Sequence, residues 1–169
     1  MSDSSKGGND PNPIAPSATL PTEGRLAGVD FGTVRIGIAI SDPSQSISSP
    51  FENYNRRTLE LDSKYFQQLV KDECIVGFVI GLPVHMSGDQ SQKSKEAVEF
   101  GNWISTETGI PVAWIDERYT TSMAREMLSH SNLSGKKRKA QLDKLAAQII
   151  LASFLESGPH TNVAPIDND

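Results

Sequence analysis

Residues 25–42 read RLAGVDFGTVRIGIAISD, and this stretch decides the fold of the chain. An apolar segment over residues 26–29 leads into Asp30, and a Phe-Gly-Thr sequence then supplies a tight turn. Beyond the turn, isoleucines at positions 36, 38 and 40 alternate with smaller or charged residues, which is the period of a β-strand. The stretch therefore predicts a hairpin of two β-strands.

Asp30 is the unusual residue of this hairpin, because it places a carboxylate at the end of an apolar strand. A charge there costs free energy unless it is paired, hydrogen-bonded or bound to a metal. We interpret Asp30 as the first ligand of a metal site. The alternative is a turn aspartate that accepts hydrogen bonds from the backbone amides of Gly32 or Thr33. The hairpin alone does not choose between these two interpretations.

Length and composition favour one cytoplasmic domain with tails. The chain has 169 residues, carries a net charge of -5 and contains a single cysteine, Cys74, so it has no internal disulfide and no zinc cluster. No apolar run approaches the roughly 18 residues of a membrane span, and the polar N-terminus lacks a signal peptide. The negative charge argues against non-specific coating of nucleic acid, but a nuclease can hold phosphate through local basic patches and cations.

Changes in composition divide the chain into three predicted parts. Residues 1–24 form a disordered tail, residues 25–156 a folded domain and residues 157–169 a flexible tail. Beyond the hairpin we predict strands over 48–54, 74–80 and 111–115, the first weakened by Pro50, and helices over 58–73, 91–108, 121–130 and 140–156. This order predicts a mixed sheet with an antiparallel edge, parallel central strands and helices on its faces.

Carboxylates lie where such a sheet places its chemistry, at the carboxyl ends of its strands. Asp30 ends the first strand, and Asp116 and Glu117 end the last one. Asp143 shares a stripe of the final helix with apolar residues, so it should face the sheet. Carboxylates from separate elements would form a hard-oxygen site for Mg²⁺ or Mn²⁺. Two such ions, roughly 4 Å apart, can activate a water and stabilise the leaving oxygen of a phosphodiester.

Asp116 and Glu117 are neighbours, and neighbouring side chains of a strand point to opposite faces. Only one of them can then easily reach the face that Asp30 uses, and the spacing does not say which. A third interpretation makes both residues an acidic start to a helix near Thr120, favoured by the helix dipole.

A basic run just before the Asp143 helix is the strongest candidate for contact with a nucleic-acid backbone. We predict that it lies in a loop beside the metals, although such runs are usually solvated. The loop over residues 84–90, which precedes a helix N-terminus, is a second natural phosphate site. The candidate substrate-binding residues are Thr33, Arg118, Thr120, Lys136, Lys137, Arg138 and Lys139.

Four segments together resemble the YqgF/RuvX family: VDFGTVRIGIAISD, VIGLPVHMSG, WIDERYTTSMA and KKRKAQLDKLAAQIIL. The resemblance spans roughly residues 25–156 and implies a ribonuclease H-like α/β fold. Its mixed five-stranded sheet would have the first three strands antiparallel and the remainder parallel, with helices on both faces. By position, Asp30 matches the first-strand catalytic aspartate, Asp116 and Glu117 the Asp-Glu-Arg motif, and Asp143 the aspartate of the last helix.

The resemblance implies a metal-dependent endonuclease that hydrolyses phosphodiester bonds and uses Mg²⁺ or Mn²⁺. Its expected role is 5′-end maturation of pre-16S rRNA, with resolution of four-way DNA junctions as the alternative. Precursor rRNA or branched DNA would be the partner, and ribosomal or assembly proteins are further candidates. Two other classes stay open. The Asp-Phe-Gly-Thr hairpin also resembles that of actin-like nucleotide-binding proteins, and the fold could serve a non-catalytic nucleic-acid-binding factor.

Overall fold

The computed structural model describes residues 19–83, 88–117 and 135–157 of the chain. Within them, five strands and three helices follow one another in an order that agrees with the predicted one. The elements are β1 (Arg25–Asp30), β2 (Arg35–Ser41), β3 (Ser48–Asn55), α1 (Leu59–Glu73), β4 (Ile75–Leu82), α2 (Gly88–Thr108), β5 (Val112–Asp116) and α3 (Gly135–Ser157). The helix predicted over residues 121–130 lies outside the described residues, as does most of the predicted loop over residues 84–90.

The strands form one mixed sheet in the order β3-β2-β1-β4-β5. β1 pairs antiparallel with β2, and β2 pairs antiparallel with β3, whereas β4 runs parallel to both β1 and β5. The predicted mixed sheet, with its antiparallel edge and parallel remainder, is therefore confirmed. The parallel strands bring the carboxyl ends of β1, β4 and β5 to one edge.

Apolar side chains fill both faces of this sheet. On one face, Phe66 of α1 and Ile104 of α2 pack with Phe78 of β4. On the other, Ile150 of α3 packs with Leu26 of β1. The helices therefore lie on both faces, α3 alone on one of them in the described part of the chain. None of the described helices has the length and apolar character to cross a membrane.

Two glycines let α3 approach the sheet closely. A Cβ atom added to Gly28 of β1 would lie 2.6 Å from Leu151 Cβ and 2.8 Å from the carbonyl oxygen of Ala147. A Cβ atom added to Gly37 of β2 would overlap the carbonyl oxygen of Asp143. Any side chain at these positions would push the helix outward, so the two glycines fix Asp143 directly over β2.

Several predicted boundaries were wrong. α3 begins at Gly135 and not at residue 140, so the basic run lies in its first turns and not in a loop. Cys74 is the exposed, left-handed C-cap of α1 and not the first residue of a strand. By contrast, β3 was predicted to within one residue, and it tolerates Pro50 because it is an edge strand whose register shifts beside that proline.

The three-part division of the chain stays a prediction. Leu20 lies within the segment assigned to the N-terminal tail, yet it is buried on the α3 face of the sheet. It packs there against Leu26, and it would be 3.0 Å from a Cβ atom added to Gly77. The packed structure therefore includes residues that precede β1.

Candidate active site

Asp30 lies on the face of the sheet that α3 covers. Along β1, Leu26 and Gly28 both point toward α3, and the alternation of a strand carries Asp30 to the same face. Its register partner on β2 is Gly37, the residue over which Asp143 sits. The strand pairing thus brings the first predicted carboxylate beneath the start of α3, where Asp30 is half-buried.

The structure distinguishes between the two neighbouring carboxylates of β5. Asp116 is in register with Leu82, whose side chain belongs to the core on the face away from α3. Glu117 follows on the α3 face, where its Oε1 would overlap a Cβ atom on Gly81, and its backbone amide donates to Leu82 O at 3.0 Å. Of the pair, Glu117 therefore shares a face with Asp30, while Asp116 continues the alternation on the opposite side.

The titration of Asp30 shows that the carboxylates act on one another. Burial, followed by the charges of Glu117 and Asp143, raises the pKa of Asp30 to about 8. Burial also raises the pKa of Glu117 to about 7, helped by Asp116 and opposed by Lys93. Carboxylates behave in this way when they share a site with too little positive charge. Three separate elements thus contribute to one electrostatically unfavourable cluster.

Asp143 makes two long contacts to the antiparallel half of the sheet. Its Oδ2 lies 3.6 Å from Arg35 Nε and 3.5 Å from the side-chain amide nitrogen of Asn53. The side chains of Arg35 and Asp143 are 33% and 28% exposed, so the pair is open to solvent. The predicted inward stripe is thus confirmed for the apolar residues of α3, and Asp143 occupies its solvent-facing end.

The donor chemistry of the cluster fits a hard divalent cation. Asp30, Glu117 and Asp143 offer carboxylate oxygens, the ligands that Mg²⁺ and Mn²⁺ prefer. A cation would also relieve the burial and repulsion that raise the pKa values of Asp30 and Glu117. Among the described residues, however, no three acidic, histidine or cysteine side chains already stand at metal-binding distances. The residue types and their location therefore suit a divalent cation, but the side chains would have to rotate in order to coordinate it.

A network of rings and charges supports the turn that follows Asp30. The Arg56 guanidinium lies 5.5 Å from the centre of the Phe31 ring, and that ring lies 4.9 Å from the ring of Phe100. Arg56 Nε also binds Asp62 Oδ2 at 3.2 Å. No local pattern could have revealed this network, because its members come from four different segments.

The remaining predicted site residues are only partly covered by the structure. Thr33 is exposed in the turn between β1 and β2, and Lys137 is exposed in the first turn of α3. Lys136, Arg138 and Lys139 lie in the same helical turns. Arg118 and Thr120 fall outside the described residues. Sequence reasoning missed Arg35 and Asn53, although the alternation of β2 does place position 35 on the face of Gly37.

The chain matches known proteins over most of its length. A family model described as RuvX, Holliday junction resolvase, matches residues 24–157. A protein of Rhodopirellula baltica bearing the name "Putative pre-16S rRNA nuclease" is 46% identical over 138 residues, which cover 82% of this chain and 80% of that protein. A protein of the same name from Koribacter versatilis is 37% identical over 133 residues, covering 79% of this chain and 87% of that protein.

A solved structure shares the architecture. The structure of T. thermophilus RuvC in complex with a Holliday junction substrate matches this chain with a TM-score of 0.52. The match covers 80% of this chain and 96% of the RuvC chain. Sequence identity is 13%, so the likeness concerns the fold alone. It confirms the predicted ribonuclease H-like arrangement of strands and helices.

Proposed function

The chain belongs to the RuvX family, and we propose that it is a divalent-metal-dependent endonuclease that matures the 5′ end of pre-16S rRNA in the cytoplasm. The observation that carries the proposal is the mutual influence of Asp30, Glu117 and Asp143, which come from β1, the end of β5 and α3. Relatives named for pre-16S rRNA cleavage support the choice of substrate.

Asp30, Glu117 and Asp143 are the residues that would hold Mg²⁺ or Mn²⁺, with two ions expected. When bound, such ions stabilise the negative charge that develops on a phosphodiester and lower the pKa of water. The protein contributes rigidity, because Asp30 ends a central strand and α3 is seated on Gly28 and Gly37. It also contributes burial, which strengthens the attraction between carboxylates and a cation.

The first turns of α3 are the proposed contact for the phosphate backbone. Four consecutive basic residues at 136–139 lie at the N-terminal end of a helix of 23 residues. The helix dipole and the basic side chains both favour phosphate there. Asp143 lies only a few residues further along the same helix, so the backbone would be held next to the carboxylates. Thr33, exposed in the turn after Asp30, is a further proposed contact.

Resolution of four-way DNA junctions is the second candidate function, and the description of the matching family favours it. Both functions would use the same carboxylates, so the geometry of the site does not separate them. Paired cuts in a junction need two copies of the site. The names of the relatives that cover most of the chain therefore decide the order of the two proposals.

A cleavage assay in Mg²⁺ or Mn²⁺ tests both functions. Four substrates are compared: pre-16S rRNA with its 5′ leader as free RNA, the same RNA in a precursor ribosomal particle, a four-way DNA junction and a linear DNA duplex. Asp30→Asn should reduce cleavage by about 10³-fold or more, because it removes one charge from the cluster. Asp72→Asn is the matched control, since Asp72 is exposed on α1 and bonds only Gln68 among the described residues.

The outcomes separate the candidates. Asp30-dependent cleavage of RNA at the mature 5′ end supports the proposal, and cleavage only within the particle would add ribosomal proteins as partners. Symmetric Asp30-dependent nicks in the junction would instead establish a resolvase. If Asp30→Asn, folded as judged by circular dichroism, cuts as well as the wild type, the carboxylate cluster is not the catalytic site. If no substrate is cut, a binding factor becomes the better interpretation.

A further inference from the structure

Arg35 contacts the carboxylate cluster through Asp143. It lies at the start of β2, two residues before Gly37 and on the same face, so it follows the turn that connects Asp30 to β2. Its Nε lies 3.6 Å from Asp143 Oδ2. A guanidinium in this position partly neutralises a carboxylate that a metal ion would otherwise neutralise.

The contact is weak enough to be exchanged. Its length exceeds that of a good charge-assisted hydrogen bond, and both side chains are about one-third exposed. The Arg56–Asp62 pair differs in both respects: Arg56 Nε lies 3.2 Å from Asp62 Oδ2, and the Asp62 side chain is 0% exposed. Exposed pairs contribute little to stability and can be broken at low cost, whereas buried pairs cannot. Arg35 is thus free to change partners, and Arg56 is not.

Asn53 supports the same carboxylate from beneath. It is the register partner of Gly37, and its side-chain nitrogen donates to Asp143 Oδ2 at 3.5 Å. The other polar atom of this side chain, Oδ1, is buried and has no hydrogen-bond partner in the described residues. A half-buried amide whose nitrogen donates to Asp143 keeps that carboxylate near β2 and β3 while Arg35 changes partner.

From this geometry we infer that Arg35 is a charge-exchange residue, which neutralises Asp143 in the absence of a divalent cation and transfers to a substrate phosphate when the cation binds. The inference rests on the proposed function, since it assumes that Asp143 is a metal ligand. Arg35 then acts twice on the reaction. It competes with the cation for Asp143, and it couples cation binding to the affinity for a nucleic-acid backbone.

Titration of the protein with Mn²⁺ alone, followed by isothermal calorimetry, tests the competition. Arg35→Gln should bind Mn²⁺ about three- to fivefold more tightly than the wild type, because the competing charge is gone. Arg35→Lys, which keeps the charge, should stay close to the wild type. Arg25→Gln is the matched control, since Arg25 pairs with Glu73 at 3.1 Å at the other end of the sheet and has similar exposure.

Binding of a single-stranded RNA oligonucleotide, with and without Ca²⁺, tests the transfer to phosphate. Without the cation, Arg35→Gln and the wild type should bind the RNA equally, because the guanidinium is occupied by Asp143. With Ca²⁺, the wild type should bind about five- to tenfold more tightly than the variant, the value of one charged phosphate contact. Arg25→Gln should follow the wild type in both conditions.

Two results would overturn the inference: an unchanged Mn²⁺ affinity in Arg35→Gln, or an equal loss of RNA affinity with and without Ca²⁺. Neither readout depends on cleavage. If the protein proves not to be a nuclease but the two titrations behave as expected, the charge exchange stands while the proposed function fails. If the wild type binds no Mn²⁺, both fail together. If Arg35→Gln does not fold, Arg35→Met, which also removes the charge and keeps an unbranched side chain, replaces it in both titrations.

Discussion

Two carboxylates of this chain, one fully buried and one half-buried, have opposite surroundings. Asp62 of α1 is 0% exposed and accepts hydrogen bonds from Tyr54 Oη at 2.7 Å, from the Arg57 amide at 2.9 Å and from Arg56 Nε at 3.2 Å. Asp30 ends β1 near two further carboxylates, and burial followed by their charges raises its pKa to about 8.

The surroundings of the two residues distinguish a carboxylate that stabilises the fold from one that suits a binding site. Donors converge on Asp62, so the fold itself supplies what a buried charge needs. Among the described residues, the fold gathers more negative charge around Asp30, and protonation or a bound cation would supply what this charge needs. The first arrangement holds β3 and α1 together. The second is unfavourable for folding and suits a site that binds metal.

The largest expected effect on stability belongs to Asp62. Asp62→Ala should lower the free energy of unfolding by about 3–5 kcal/mol, because it leaves the Arg56 charge and the Tyr54 hydroxyl without their partner. Urea denaturation at pH 7 measures this loss. Cleavage per folded molecule should fall far less than in Asp30→Asn, although Arg56 also supports the turn at Phe31.

Asp72→Ala on the exposed side of α1 is the control for loss of a helical aspartate and should change stability by less than about 0.5 kcal/mol. If Asp62→Ala lowers the free energy of unfolding by less than about 1 kcal/mol, the contrast between Asp62 and Asp30 is wrong, since the converging donors would then contribute little to the fold.

The next largest expected effect is a difference in cleavage rate between variants of Glu117 and Asp116. Glu117→Gln should reduce the cleavage rate by about 100-fold, or about 2.7 kcal/mol, because Glu117 shares the face of Asp30. Asp116→Asn should stay within about threefold of the wild type, since Asp116 lies on the opposite face. Single-turnover cleavage of the best substrate measures both. The reverse order of the two losses would show that the β5 carboxylates exchange roles when substrate binds.

The sequence alone could not predict whether Asp116 or Glu117 shares a face of the sheet with Asp30. A strand buried on both faces has apolar residues at every position, so alternation does not say which set faces which helix. The register of Asp116 with Leu82 supplies that information, and it is a tertiary property. The same holds for Arg35 and Asp143, which are far apart in the chain and meet only because β2 lies beneath α3.

The sheet and the hairpin could be predicted because their signals are local. Alternating isoleucines and turn residues set β1 and β2, and the resemblance supplied the division of the five-stranded sheet into an antiparallel and a parallel part. The start of α3 could not be placed, because residues 136–139 have no apolar periodicity although lysine and arginine are good helix formers. Pro50 weakened the prediction of β3 for a related reason, since the sequence does not show that this proline lies on an edge strand beside a shift in register.

The last and smallest effect is the dependence of stability on pH. Asp30 has a pKa of about 8 in the folded chain against 3.8 for an unperturbed aspartate. Between these values the folded state keeps a proton that the unfolded state has lost, so the free energy of unfolding falls as the pH rises and levels off above pH 8. Glu117, with a pKa of about 7, adds a change of the same sign up to pH 7.

Asp30→Asn removes the titrating group, so it should be more stable than the wild type by about 1–3 kcal/mol at pH 8 and almost equal to it at pH 4.5. Urea denaturation of both proteins at each pH gives the difference, in which the titrations of all other groups largely cancel. Addition of 10 mM Mg²⁺ at pH 8 should stabilise the wild type alone and narrow the gap. A difference that stays constant from pH 4.5 to pH 8 would mean that Asp30 is already neutralised by the fold, as Asp62 is.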